Sequence, residues 1–258
     1  MSRKKLIIVI VIIVFILSLI LLSVINNSEP FHYTKSIFFG KSSDKLVYSD
    51  EFTDIDTIYI DVDNAIVNLI NRDYDNIKLE INSSRDNIKI KNYNKRLSIM
   101  TEDRKKCMFC KMNVINIYVN EDFKEYINII NDYGFTTLEN FPEASVSISN
   151  KFGNVKVGNI NMLKVIIGRG KLVTGKIGGT SIRINWGDVD ISEVNDVFID
   201  NKLTDISINK INNSINLEND VGNIAIENAY INKESDIENE IGDIIIKNLI
   251  DDNNYLEK

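Results

Sequence analysis

The sequence predicts an all-β fold, a right-handed parallel β-helix (β-solenoid) that follows one N-terminal transmembrane helix. Three observations predict it: a repeat of 17 to 20 residues, apolar columns with period-2 spacing inside each repeat, and a long uncharged run near the N-terminus. Each repeat is too small to bury its own apolar face, so burial requires neighbouring repeats to stack. The handedness follows from the preference for right-handed crossovers between parallel strands.

The first predicted element is a transmembrane anchor at residues 6–25. This segment has no charged side chain, and at about 1.5 Å per residue it spans the ~30 Å hydrocarbon layer. Basic residues at positions 3–5 precede it, so the positive-inside rule predicts a cytoplasmic tail (1–5) and a single pass through the bacterial cytoplasmic membrane. A cleaved signal peptide is the alternative, but no small-x-small cleavage site follows the apolar run.

The rest of the chain is predicted to lie outside the membrane. Residues 26–50 indicate a polar stalk, and the extracytoplasmic β-solenoid is predicted over residues 51–258. Alternating apolar residues between Glu51 and Val119 predict irregular coils of the same sheet system. The polar end, Asp251 to Lys258, suits a cap over the last unpaired strand edges.

The repeats align on one column, whose members we call anchors and number zero. The anchors are Gly134, Gly153, Gly170, Gly187, Thr204, Gly222 and Gly242. Glycine lacks a Cβ and adopts positive φ without steric cost, so the six glycines are predicted to be structural turn residues. Thr204 is expected to have an ordinary backbone conformation.

Five further columns are predicted to face the interior, at positions −5, −1, +2, +4 and +7 from the anchor. In the repeat of Gly187 these are Ile182, Trp186, Val189, Ile191 and Val194. Position −3 carries a column of asparagines: Asn131, Asn150, Asn201, Asn219 and Asn239. Because an Asn amide bonds both the local backbone and an Asn above it, this column is predicted to be a structural ladder.

A short motif recurs after the anchors, Gly-Asp/Asn-Ile/Val-x-Ile/Val, as in Gly242-Asp243-Ile244-Ile245-Ile246. With its flanking strands, it resembles the bacterial putative-adhesin family of β-strand repeats, also called toastrack domains, over most of residues 51–250. The resemblance implies an anchored or exported envelope protein, in some members encoded near envelope-stress signalling systems. The family has no established catalytic residues, so the resemblance implies none here.

Acidic side chains at position +1 are the candidate catalytic or metal-binding residues of the repeats. Asp188 and Asp205 are predicted to lie about one strand spacing apart, ~5 Å, with Asp190 on the same outward face. Such a cluster would suit a calcium site or the carboxylate pair of a retaining glycosidase. We favour solvated turn acids beside Lys171, because no Gly-Gly-x-Gly-x-Asp calcium pattern is present. With Trp186 predicted in the core, no aromatic platform for sugars is expected.

Cys107 and Cys110 are the two cysteines of the chain and form a C-x-x-C pair among lysines. In an exported domain this spacing predicts a small disulfide loop, or thiols that stay reduced. A redox motif would sit at a strand-to-helix junction of a βαβ fold, which the pattern does not predict. A zinc site would need two further ligands.

The single histidine and the net charge exclude some classes of function. His32 is the only histidine and lies a few residues after the predicted transmembrane segment, so no His-based triad or HExxH site is expected in the repeats. The formal net charge of −7 repels polyanions and makes nucleic acid an unsuitable partner. The sequence therefore predicts a non-catalytic module without a cofactor, which binds an unknown envelope protein or surface ligand.

Two alternatives remain open from the sequence. Carbohydrate enzymes are frequent among β-helices, so the chain would be a polysaccharide-active enzyme if Asp188, Asp190 and Asp205 carried catalysis; this rests on fold analogy alone. The other alternative is a structural spacer without a ligand.

Overall fold

The computed structural model describes residues 45–73, 76–83, 87–102, 111–231 and 235–251. Within these ranges the chain is all-β, as predicted, and its strands join in one 13-stranded sheet system. The predicted transmembrane segment at residues 6–25 and the two cysteines lie outside the described residues. None of the described ranges contains a helix long and apolar enough to cross a membrane.

The strands are β1 (Leu46–Phe52), β2 (Thr57–Asn71), β3 (Ile77–Asn82), β4 (Ile88–Tyr93), β5 (Arg96–Thr101), β6 (Asn113–Val119), β7 (Tyr126–Leu138), β8 (Phe141–Phe152), β9 (Val155–Val157), β10 (Ile160–Val221), β11 (Ile224–Ile231), β12 (Asp236–Ile241) and β13 (Ile244–Asp251). The very long β10 contains the anchors Gly170, Gly187 and Thr204, so several repeats follow one another within it.

The repeats stack as parallel strands in the predicted register. At position −5, Ile129 of β7 pairs with Ile148 of β8, and Leu217 of β10 pairs with Ile237 of β12. The columns at −5, +2, +4 and +7 are buried through the inner repeats. Each buried aliphatic side chain stabilises the fold by about 1.5–3 kcal/mol relative to an exposed one, so this shared core holds the stack together.

The stack has one more member than the sequence alignment found. Ala65 of β2 pairs with the anchor Gly134, which makes β2 the first repeat. Its apolar positions, Ile60 and Val67, continue the −5 and +2 columns of β7. The alignment relied on a nearly constant spacing between anchors. It missed this repeat because a long chain segment separates Ala65 from Gly134.

The segment between β2 and β7 meets only part of the expectation of irregular coils. β5 and β6 pair with β2 in parallel, as coils of the same sheet would. Other pairings differ. β4 pairs with β5, and β3 pairs with both β1 and β6, and all three pairings are antiparallel. Alternation of apolar residues shows which face of a strand is buried but does not reveal the direction of its neighbour. β1 begins at Leu46, so the sheet also includes the last residues of the segment predicted as a stalk.

The predicted anchor conformation is confirmed. The six anchor glycines have φ between 128° and 155°, whereas Thr204 is not among the described residues with positive φ. A Cβ added to any of these glycines would lie only 1.7–2.0 Å from the anchor carbonyl oxygen of the preceding repeat. The backbone of one repeat therefore approaches the next so closely at this corner that a side chain does not fit.

The asparagine column bonds differently from a simple ladder. Four of its amides donate to the anchor carbonyl of the preceding repeat: Asn131 to Ala65 (3.0 Å), Asn150 to Gly134 (3.2 Å), Asn219 to Thr204 (3.1 Å) and Asn239 to Gly222 (2.9 Å). Among the described residues, one direct Asn-to-Asn bond of the column is present, from Asn219 to Asn239 (3.0 Å). The column thus satisfies anchor carbonyls in the interior, where an unpaired carbonyl is costly.

The prediction that position −1 faces the core is wrong. Trp186, Leu203 and Ile241 are 53%, 48% and 63% exposed. Positions −3 and 0 both face the interior, although they are three residues apart. In a regular strand, residues an odd number of positions apart face opposite sides of the sheet. Between neighbouring repeats, the residues at −3 pair with each other and so do the residues at −1, but the residues at −2 are unpaired in the ladder. Asn131–Asn150 is followed by Tyr133–Phe152 in this way. This extra corner residue, like the additional residue of a β-bulge, leaves both −2 and −1 outside.

We predict that Gly170→Ala lowers the free energy of unfolding by about 3 kcal/mol or more, because alanine disfavours the positive φ and its Cβ would lie 1.9 Å from the Gly153 carbonyl oxygen. Urea denaturation of the full-length chain, followed by circular dichroism, measures the change. Gly179→Ala is the matched control, since a Cβ there meets only the end of the Met162 side chain. Its effect should stay within about 1 kcal/mol. Equal effects of the two substitutions would contradict the close approach at the anchor.

We also predict that Asn150→Ala costs about 1–3 kcal/mol of unfolding free energy, because the Gly134 carbonyl loses its buried donor. The same denaturation experiment measures it. Asn92→Ala, at an exposed position of β4, serves as the control and should change stability by less than about 0.5 kcal/mol. A neutral Asn150→Ala would show that the amide does not support the anchor.

Candidate functional site

Asp205 has a structural role that the sequence did not predict. Its Oδ1 accepts a hydrogen bond from the backbone N–H of Asn223, at 2.8 Å, in the next repeat. The same bond recurs at position +1 elsewhere, from Lys171 N–H to Asn154 and from Asp243 N–H to Asn223, at 3.0 and 3.2 Å. Asp205 therefore links two repeats, as asparagines do in the same column.

Asp188 and Asp190 lie near Lys171 on the outward face. The Lys171 ammonium is 3.9 Å from Oδ2 of Asp190. Asp188 is exposed, but partial desolvation of its carboxyl group raises its pKa; the Lys171 charge opposes this shift and the Asp205 charge adds to it. Within the described ranges, no group of three metal-ligating side chains is close enough to hold an ion. Asp190 and Asp205 thus each have a local partner, Lys171 and the Asn223 backbone.

The side chains at position −1, most of them exposed, form a surface feature that we call the corner ridge. Its members follow one another from repeat to repeat: Tyr133, Phe152, Arg169, Trp186, Leu203, Val221 and Ile241. The rings of Tyr133 and Phe152 stack with centroids 5.4 Å apart and planes within 3°. The Arg169 guanidinium lies 4.1 Å from the centre of the Trp186 ring.

The stacking determines which surfaces the ridge offers to a partner. The Phe152 ring stacks on Tyr133, and the Trp186 ring lies against the Arg169 guanidinium. Trp186 is exposed, contrary to the prediction, so burial of this ring does not exclude an aromatic platform.

A groove of about 830 Å³ follows the ridge. Its walls combine the apolar side chains of Phe152, Trp186 and Leu203 with cations, and its lining includes these residues: Lys151, Phe152, Gly168, Arg169, Asn185, Trp186, Lys202, Leu203, Asp220 and Val221. Lys151 also forms an ion pair with Asp132 at 2.8 Å. This part of an acidic chain is locally cationic, with Asp220 as the one acid of the lining.

A second groove, of about 500 Å³, lies on the outer side of the strands between positions −8 and −6. Met162 and Phe198 are its exposed apolar residues, and small residues such as Gly179 and Ser181 leave it open. Its charged lining residues are Lys164 and Asp196. This groove therefore lacks the charge bias of the corner ridge.

Sequence reasoning missed the ridge because it placed position −1 inside. One signal was available: Arg169 occupies a column that was otherwise apolar. A charged guanidinium is rarely buried without a partner, so a single Arg among large apolar residues indicates an exposed corner.

No protein-family model matches the chain, and no curated protein matches its sequence. Solved structures are similar to it. A lipid binding protein, described as putative, from Parabacteroides distasonis is 12% identical with a TM-score of 0.39, covering 82% of this chain and 98% of its own. A putative adhesin from Bacteroides fragilis is 14% identical with a TM-score of 0.38, covering 82% and 97%. A putative cell adhesion protein from Clostridium sporogenes is 13% identical with a TM-score of 0.34, covering 80% and 100%.

The predicted resemblance to the putative-adhesin family is confirmed to this extent, since several of the similar structures carry adhesin or cell adhesion descriptions. At these TM-scores the similarities add nothing about the site. The functional argument therefore depends on the surface of this chain.

We predict that Asp188→Asn raises the free energy of unfolding at pH 7. The raised pKa means that the folded chain holds this proton more readily than the unfolded chain, so ionisation of Asp188 destabilises the fold as the pH rises. The gain should disappear below about pH 3.9, the ordinary pKa of an aspartate, where the carboxyl is protonated in both states. Denaturation midpoints measured from pH 3 to pH 8 test this.

Asp205→Asn is the companion variant in this series. Its amide oxygen keeps the bond to Asn223, as Asn154 does for Lys171, so it should leave this link between repeats intact. A loss of stability in Asp188→Asn at pH 7 would show that the ionised carboxylate stabilises the fold, against this account.

Proposed function

We propose that the chain is a membrane-anchored, extracytoplasmic binding module of the bacterial cell envelope, and that it binds rather than catalyses. In this proposal residues 6–25 cross the cytoplasmic membrane once, with the N-terminus inside. The stacked repeats outside wind as a right-handed parallel β-helix. The partner is an envelope protein, such as a component of a stress-signalling complex, or a surface ligand.

The corner ridge is the observation that supports a binding role. Phe152, Trp186 and Leu203 are large apolar side chains exposed along one corner, with Arg169 between Phe152 and Trp186. A contiguous apolar patch on a protein surface is typical of an interaction site, because it exposes area that water solvates poorly. The core of the stack is complete without these side chains, so the fold itself does not require them at the surface.

The backbone beneath the ridge suits binding as well. Each ridge residue directly precedes an anchor, and at the six glycine anchors the corner is fixed by close backbone contact with the preceding repeat. Neighbouring ridge residues also pair in the parallel ladder, as Arg169 does with Phe152. A surface held in this way loses little conformational freedom when a partner binds, and this favours affinity.

The candidate acids give less support to the enzyme alternative. Asp205 is engaged with the backbone of the next repeat and Asp190 lies near Lys171. A retaining glycosidase needs one carboxylate free to attack the sugar and a second to act as the acid. The bonds of Asp205 assign it a structural task instead.

Photo-crosslinking in intact membranes tests the binding role. A photo-reactive amino acid at Asn185, which is exposed beside the ridge, should form specific adducts with a protein or lipid partner. Trp186→Asp combined with Leu203→Asp should abolish these adducts, because charges replace the apolar contact surface. Affinity capture followed by mass spectrometry identifies them.

Met162→Asp combined with Phe198→Asp is the matched control, since both residues are exposed apolar side chains outside the ridge. Adducts should persist in this variant. Adducts that survive the ridge variant unchanged would contradict the proposal. Glycan turnover by the native chain that is lost in Asp188→Asn would instead favour the enzyme.

A further inference from the structure

We propose that the corner ridge docks on a membrane surface that contains anionic phospholipids, so that the stack lies along the bilayer. This inference rests on the binding role proposed above and names its partner. Three features of the ridge support it: the type of its exposed apolar residues, the cations between and beside them, and their straight alignment.

The apolar residues of the ridge are of the kind that enter a membrane interface. Trp186 and Phe152 are exposed aromatics, and Leu203 continues the line. Tryptophan is enriched at the level of the lipid headgroups, and Trp, Phe and Leu form the apolar side of interfacial segments.

Cations accompany these residues at the level where headgroup phosphates would lie. Arg169 belongs to the ridge itself, and Lys151 and Lys202 line the adjoining groove. Each Lys or Arg near an anionic membrane contributes about 1 kcal/mol, or roughly fivefold in affinity. Asp220 in the groove and Asp132, paired with Lys151, offset two of these three charges, and Glu240 precedes Ile241 at the far end of the ridge.

The acidity of the whole chain does not prevent such docking. The net charge is −7, but charges farther than about 8–10 Å from the membrane surface are largely screened at physiological salt. A local cationic groove is therefore sufficient for attraction to an anionic surface. The same acidity would keep other faces of the stack away from the bilayer, so that docking occurs through the ridge.

The alignment of the ridge matches a planar partner. Phe152, Arg169, Trp186 and Leu203 belong to consecutive repeats, and at ~4.8 Å per strand they extend over about 14 Å in one line. A flat surface meets all of them at once. A soluble anionic polymer would use the cations but would leave the apolar line exposed, so the combination favours a lipid surface.

Trp186 makes the test direct, since it is the only tryptophan of the chain. The full-length chain is reconstituted in vesicles of phosphatidylcholine, with or without about 30% phosphatidylglycerol. With the anionic lipid, Trp186 emission should shift to shorter wavelength and be quenched by brominated lipids. In pure phosphatidylcholine, or at 1 M salt, where the Debye length falls to about 3 Å, both effects should weaken strongly.

Charge variants separate docking from simple proximity to the vesicle. Lys151→Glu combined with Lys202→Glu should lower the docking constant by roughly 25-fold or more, taking about fivefold for each lost cation. Lys124→Glu combined with Lys156→Glu is the control: both lysines are exposed and absent from the groove lining, so docking should be unchanged. Far-UV circular dichroism verifies that all variants are folded.

Identical Trp186 emission in anionic and neutral vesicles would overturn the proposal, as would equal losses in the two charge variants. An emission shift caused only by a soluble polyanion, such as poly(glycerol phosphate), would also overturn it while leaving the binding role intact. Ridge-dependent protein adducts at Asn185 without lipid docking would likewise refute the membrane partner alone. The binding role itself fails only if adducts are independent of the ridge.

Discussion

Close backbone contact at the anchor is the constraint on which the rest of the structure depends. A carbonyl oxygen of one repeat lies where a side chain of the next anchor would begin, so six of the seven predicted anchors are glycines with positive φ. This contact fixes the register between repeats, and the register aligns the apolar columns that form the core. The amides at position −3 complete the corner by donating to the same anchor carbonyls.

The same corner produces the surface on which the functional proposals depend. Because two residues, −2 and −1, lie between the inward positions −3 and 0 where regular alternation would place one, position −1 is left exposed beside −2. Large apolar side chains such as Trp186 and Leu203 therefore line the outside of a rigid corner. A single backbone requirement thus accounts for both the stability of the stack and the continuity of the ridge.

Much of the fold was readable in the sequence, and the exceptions have physical reasons. The columns at −5, +2, +4 and +7 were predicted because they lie on straight segments, where alternation reports burial. Trp186 was placed in the core because alternation fails at a corner. The antiparallel pairings of β3 with β6 and of β4 with β5 were missed because alternation does not indicate the direction of a neighbouring strand. Asp205 was predicted on the outer face, but its bond to Asn223 depends on register between repeats, which sequence spacing alone does not give.

Distances between spin labels test the central claim, the in-register stacking of repeats, most directly. Labels at Ser149 and Glu218 or at Ser149 and Glu238 occupy position −4 of repeats four and five steps apart, in a chain whose Cys107 and Cys110 are replaced by serine. Pulsed electron paramagnetic resonance should give backbone separations near 19 and 24 Å, an increase of ~4.8 Å for the added repeat. Equal distances for the two pairs, or a shorter one for Glu238, would contradict the stack.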